Sequence, residues 1–195
     1  MNKRPKPVDP RIVRTRQMLK EAFVDLMDEM ETEKITVNRL AERAKINRVT
    51  FYLHYKDIPD MMDKLADEMI EEIQRILLDN PETTPKPRED EQLVKLLEHI
   101  AANPKFYKIV LATKRIPIFT ERLLKLLSAL ITGRFDNIRN DAYYAKKQIQ
   151  KDIAIWYGSS ALIGVIVSWL RYDMPYSPQY LAKQFLMMTS PKYKE

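Results

Sequence analysis

The chain has 195 residues, 45% hydrophobic and 31% charged, with three glycines, no cysteine and two histidines. So few glycines exclude glycine-rich phosphate loops and dinucleotide fingerprints, which need positive φ or close backbone approach; the absence of cysteine excludes disulfides, thiolate metal sites and a cysteine nucleophile. The formal charge of +6 is uneven: residues 1–56 hold 13 Lys and Arg against 8 Asp and Glu, a net of +5, so this end is expected to meet a polyanion.

The opening MNKRPKPVDPR is basic and proline-rich with no apolar run behind it, unlike a secretory signal. Asp9-Pro10 reads as an N-cap followed by proline at the first helical position. Leu19, Ala22, Phe23, Leu26, Met27 and Met30 then recur at helical spacing. Thr36 is the expected cap of a short helix Val37–Ala44, Lys45-Ile46 a tight turn, and Asn47 the cap of a third helix ending near Tyr55. A longer helix is expected from Asp57 or Ile58 to Leu78, with Met62, Leu65, Ala66, Met69, Ile73, Ile76 and Leu77 as its stripe. Residues 79–90, with three prolines, read as a linker. Helices Glu91–Ala102, Lys105–Thr113, Ile118–Arg139, Lys146–Tyr172 and Pro178–Thr189 follow, bounded by prolines. The reading is all-α, with the long helix shared between an N-terminal domain of residues 1–56 and a C-terminal helical domain of residues 57–195.

Ile153–Leu170 is eighteen residues without a charge, at the lower limit for a membrane span. It contains Ser159, Ser160, Ser168 and two glycines, has no basic cluster at one end, and lies in an otherwise charged, amphipathic chain. Such a helix also results when one side packs its own domain and the other a second subunit. No membrane partner is expected, and Ser160 and Gly164, four residues apart, would permit close helix approach. Trp156 and Trp169 are thirteen residues apart and should point in different directions, one into the domain and one toward a partner or pocket.

The informative stretch is TVNRLAERAKINRVTFYLHY, Thr36–Tyr55. Two short helices joined by a tight turn and backed by a longer one make a helix-turn-helix. Val37, Leu40, Ala41, Ala44, Ile46, Phe51 and Tyr55 can form its small core. The second helix would then expose Arg48, Thr50, Tyr52 and His54, types able to reach phosphates or base edges. Spacing alone is shared with helical hairpins that bind no DNA.

The order of elements, with TVNRLAERA and TFYLHYKD followed by a long helix, resembles the TetR family of bacterial transcription regulators over Asp9–Met62. YGSSALIGVIVSWLRYDMPYSPQYLAKQFLMM resembles the last two helices of a branch that includes regulators of the dihydroxyacetone-kinase type. The resemblance implies a cytoplasmic homodimer whose recognition helices enter successive major grooves of a palindromic DNA operator. It implies repression as the default, a C-terminal bundle that dimerises through its last two helices, and often an effector pocket there. Carried over by position, Thr36 touches a phosphate and Thr50, Tyr52 and His54 contact DNA. Arg48 faces the bases, and Lys56 offers a phosphate contact. Two departures stand out. The usual glycine of the turn is Lys45, which calls for a left-handed non-glycine residue or a different turn shape. The lysine common at the start of the fourth helix is Ile58, which shifts weight onto Lys56 and onto Lys3, Arg4 and Lys6, an arm that fits a DNA contact and a solubilising tail equally well.

The dimer interface is expected to include Ser160, Gly164, Val167, Leu181 and Phe185. Phe106, Tyr107, Phe119, Trp156 and Tyr157, on three different helices, are the expected lining of a pocket for a small organic effector. No cofactor or metal is expected, since His54 and His99 have no ligand spacing. Two rival readings are a protein-interaction adaptor or coactivator of the same fold, and an enzyme; for the latter no nucleophile–base pair or phosphate loop is present.

Overall fold

The computed structural model describes residues 9–78, 89–113, 116–137 and 150–189. Helix α1 (Pro10–Glu29) starts where the sequence places it: the Asp9 carboxylate accepts a hydrogen bond from the Arg11 amide at 2.8 Å, and Pro10 occupies the first turn. Its inner face buries Leu19, Ala22, Phe23, Val24, Leu26 and Met27. A single 3-10 turn, Thr32–Lys34, leads on to α2 (Val37–Arg43). Thr36 caps α2, its hydroxyl oxygen accepting from the Arg39 amide at 3.3 Å. The Arg43 guanidinium donates to both Glu29 carboxylate oxygens, at 2.7 and 2.6 Å, and so clamps α2 to α1.

Helix α3 (Arg48–Tyr52) is capped by Asn47, whose side chain accepts from the Val49 amide at 2.9 Å. It is shorter than the periodicity suggests, because residues 53–55 taper into a turn in which the His54 and Tyr55 amides both donate to the Phe51 carbonyl. The next helix sets that limit. Helix α4 (Ile58–Leu78) starts with Asp57 accepting from the Asp60 amide at 2.8 Å, while the Asp60 carboxylate accepts from the Lys56 amide at 2.8 Å. This reciprocal cap holds residues 56 and 57 outside any helix. Ile58 and Met61 are buried on α4 and Met62 half-buried, so the inner stripe begins at Ile58, about one turn before the Met62 expected.

The chain divides into two compact units inside α4, the first ending at Leu65 and the second beginning at Ala66. In the second unit α5 (Glu89–Ala102) packs on α9 (Pro178–Thr189), and α7 (Pro117–Asn137) on α8 (Lys151–Arg171). Gly158 allows the latter approach: a Cβ there would lie 3.3 Å from Ile131 Cδ1. Between α5 and α7, helix α6 (Pro104–Tyr107) does not continue as the single α-helix expected, but widens into a π-helical turn, Lys108–Ala112. The expected linker at 79–90 lies mostly outside the described residues, as do positions 138–149. No strand occurs among the described residues. The architecture is all-α, with three short-loop helices at the N-terminal end and a long helix running into a C-terminal bundle.

Among the described residues, three that are not glycine take the left-handed conformation: Lys45 (φ 55°), Asp173 (φ 55°) and Met174 (φ 53°). Lys45 turns the chain between α2 and α3, with the Lys45 amide donating to the Glu42 carbonyl and the Ile46 amide to the Ala41 carbonyl. The turn therefore keeps a glycine-like shape without glycine, at the steric cost of a Cβ in that region. Lys45→Gly should raise stability by about 0.5–1 kcal/mol, the relieved strain outweighing the greater freedom of glycine in the unfolded chain. A urea midpoint that stays put or falls would contradict this.

Candidate nucleic-acid interface

The inner face of α3 and its trailing turn is fixed by two aromatic side chains. Phe51 is 0% and Tyr55 2% exposed, with ring centroids 5.5 Å apart, and Leu40, Ala41 and Ala44 are also buried. Burying side chains of this size contributes roughly 1.5–3 kcal/mol each. Everything else on α3 is thereby turned outward. Arg48 and Tyr52 are exposed, Thr50 and His54 half-buried, and Lys56 exposed just beyond. Tyr52 packs edge-on against Phe51, centroids 5.5 Å apart, so its phenol is held on the outer face instead of swinging freely. Thr36 is exposed at the start of α2; its oxygen serves as the cap and its hydroxyl proton can donate outward. The structure thus sets five of the expected positions on one short segment and the sixth at the N-terminus of α2.

Two apolar residues share the outer face and were not singled out from the sequence: Val49, 61% exposed, and Leu53, 77% exposed. Their spacing from Tyr52, opposite Phe51 and Tyr55, is the signal that could have found them. Such side chains suit contact with a thymine methyl group.

The surroundings of His54 disfavour its charged form. Its imidazole is pushed below the ordinary value of 6.5 by partial burial first, then by the positive charges of Arg16 on α1 and Lys64 on α4. The ring is accordingly neutral at pH 7. Asp60 is held below the usual carboxylate range by the Lys56 backbone N–H, then by the Lys64 ammonium.

In the second unit the expected pocket residues separate into two groups. Phe106, Tyr107 and Phe119 are buried together, with edge-to-face centroid distances of 5.3 Å (Phe106–Tyr107) and 5.9 Å (Phe106–Phe119). Burial and the Glu72 carboxylate push the Tyr107 phenol well above its ordinary range, so it stays protonated. Trp156 and Tyr157 instead lie on the surface of α8, 63% and 64% exposed. The two tryptophans diverge as their spacing requires: Trp169 is buried, its indole N–H donating to the Tyr176 carbonyl at 2.9 Å. Of the expected interface residues, Ser160 and Gly164 are exposed, Val167 and Leu181 half-buried, and Phe185 buried. Helix α8 is long and apolar enough to cross a membrane, yet just 28% of its most apolar window is buried within the chain. No cluster of metal-ligating side chains occurs among the described residues.

A short helix held by a buried aromatic pair, with polar and basic residues turned outward and a capped helix in front, forms a helix-turn-helix. Comparison with known proteins agrees. Residues 89–191 match a TetR-type family described as "Transcriptional regulator C-terminal region". The chain is 24% identical, over 97% of its length, to the uncharacterized HTH-type transcriptional regulator YxbF of Bacillus subtilis (strain 168), and spans about half the length of that relative. Its fold is similar to that of a TetR transcriptional regulator from Streptococcus agalactiae 2603V (22% identity, TM-score 0.67, 92% of this chain and 95% of that one). It is also similar to the dihydroxyacetone kinase operon activator DhaS (18% identity, TM-score 0.60, 92% and 96%). The chain belongs to the TetR family of transcriptional regulators.

Because native His54 is the poorer proton acceptor, the unfolded chain binds more protons below about pH 6.5, and the stability contributed by the neutral ring is lost as pH falls through that value. His54→Gln should therefore flatten the acid limb of a plot of melting temperature against pH. An identical acid limb in both proteins would show that His54 does not titrate this way.

Proposed function

We propose that this chain is a cytoplasmic, homodimeric transcriptional repressor that binds a palindromic DNA operator and is released by a small organic effector. The side chains that α3 and its trailing turn leave uncovered carry this reading: Arg48, Thr50, Tyr52 and His54 flank a buried Phe51–Tyr55 pair, with Lys56 beyond and Thr36 at the α2 cap. In the reading proposed, residues 1–56 form the DNA-binding domain, Thr36 and Lys56 hold phosphates, and Arg48 reads a guanine. Residues 57–195 dimerise and hold the effector.

Support for the dimer comes from the side of α8 that its own chain leaves uncovered. Ile153, Trp156, Tyr157, Ser160 and Gly164 recur on it at helical spacing and are all exposed, and Tyr180, Met187 and Met188 of α9 are exposed as well. Serines and a glycine among aromatics suit close packing of a second protein helix better than a lipid surface. A Cβ at Gly164 would have nothing within 4 Å, the open approach a partner helix needs. Half-sites should then lie about 34–36 Å apart along the duplex, or a multiple of it. The buried aromatics Phe106, Tyr107 and Phe119, the part of the expected lining that lies together, would give an effector site largely apolar walls. The fold is also that of an operon activator; transcript levels in a deletion strain separate repression, where they rise, from activation, where they fall.

Arg48→Ala, Thr50→Ala and Tyr52→Ala should each keep fold and oligomeric state but weaken operator binding by about 1–3 kcal/mol, with Arg48→Ala also relaxing preference at one base of each half-site. Gel-shift titrations against the region upstream of the protein's own gene measure this, and three unaltered affinities would remove α3 as the reading surface. Gly164→Arg places a charge at the proposed close approach and should shift the protein to monomer in sedimentation; a wild type already monomeric at micromolar concentration would refute the dimer.

A further inference from the structure

Lys64 lies on the second turn of α4, away from the outer face of α3. Its ammonium nevertheless donates to the His54 carbonyl at 3.0 Å and to Asp60 Oδ2 at 2.9 Å, and stands 5.4 Å from the centre of the Tyr55 ring. Asp60 Oδ2 also accepts from the Lys56 amide at 2.8 Å. Three consecutive residues are thus held from one point on α4: His54 by its carbonyl, Tyr55 by its ring, and Lys56 by its amide through Asp60. Carbonyls near the end of a short helix have no donor in the next turn, and a cation placed there supplies one.

We propose that Lys64 is a positioning residue for DNA binding: it locks His54–Lys56, and with them the end of α3, onto α4 without touching DNA itself. The assignment rests on the DNA-binding reading above. Two of the three ammonium donors are committed to His54 and Asp60, and the Asp60 carboxylate balances the charge, so the group is built into the protein's own bonding and is not held out toward a phosphate. Sequence separation hides it, since Lys64 is eight residues past the last expected contact, Lys56.

The salt dependence of binding distinguishes positioning from contact, because each lost phosphate contact lowers the slope of log K against log salt by about one. The probe is a duplex enriched by the wild-type protein from a random-sequence pool. Lys64→Met keeps the apolar stem over Tyr55 and removes the charge. It should bind about tenfold more weakly at every salt concentration, with an unchanged slope and unchanged helix content. Asp60→Asn should show the same loss, and the double variant should be no weaker than the weaker single variant. Unaltered affinity in either single variant overturns the assignment, as does a slope shallower by about one in Lys64→Met, which would make Lys64 a phosphate ligand. Should Lys64→Met not fold, Asp60→Asn decides alone. A wild type that enriches no duplex overturns the DNA-binding reading and the assignment with it.

Discussion

Five residues make little more than one turn, and no helix of that length holds its shape unaided in water. Helix α3 exists because Phe51 and Tyr55 are buried, and those two side chains are held in place from every side. Asn47 satisfies an amide at the start of the helix, the Lys45 turn sets its angle to α2, and the Asp57–Asp60 cap ends the segment from beyond. The consequence is a division of labour along one short stretch. Side chains that never leave the core decide where the outward ones stand, so losing the Phe51 ring would erase the surface as thoroughly as losing the residues on it.

Much of this was legible in the sequence, for reasons that can be named. Helix starts marked by a cap and a proline, as at Asp9-Pro10 and Ser177-Pro178, are local events and fall where the residues place them. The outer face of α3 was legible by subtraction, once Phe51 and Tyr55 are set inward. What escaped depends on tertiary contacts or on equal alternatives. Apolar periodicity carries on to Tyr55 while the backbone leaves the helix after Tyr52, because capping of the next helix competes for the same residues. The widening at Lys108–Ala112 has no residue signature, since four of its five residues are buried and a stretch apolar all round fits an α or a π ladder equally well. Aromatic character alone suggested an interior for Trp156 and Tyr157, whereas α8 turns both outward.

Helix α8 shows how one sequence can serve two environments. Ser159, Leu162, Ile163, Ile166, Trp169 and Leu170 face its own bundle, and the buried Ser159 hydroxyl is spent on the Ile155 carbonyl at 2.7 Å, so no polar atom of that side chain is stranded. The opposite side mixes aromatics with serine and glycine. Hydropathy averages the two and returns a value typical of a membrane span, which is why orientation, and not mean hydropathy, is the informative property of this helix.

The π-helical turn after α6 carries a constraint on chain length. Hydrogen bonds that skip five residues enclose one residue more than those of an α-helix. Arg171, at the end of α8, donates its Nε–H to the Ala112 carbonyl at 2.9 Å, and Lys108 at the other end of the turn pairs with Asp173 at 2.6 Å. Both ends of the widened turn are therefore pinned to residues two positions apart, Arg171 at the end of α8 and Asp173 just past it. Deleting one residue between 108 and 112 would let the ladder close as ordinary α-helix, but would carry one of these partners out of reach of its mate. Relatives whose α6 lacks the extra residue should consequently lack one of the two pairings, so insertions and deletions here ought to travel with changes at 171 or 173 when orthologous sequences are aligned.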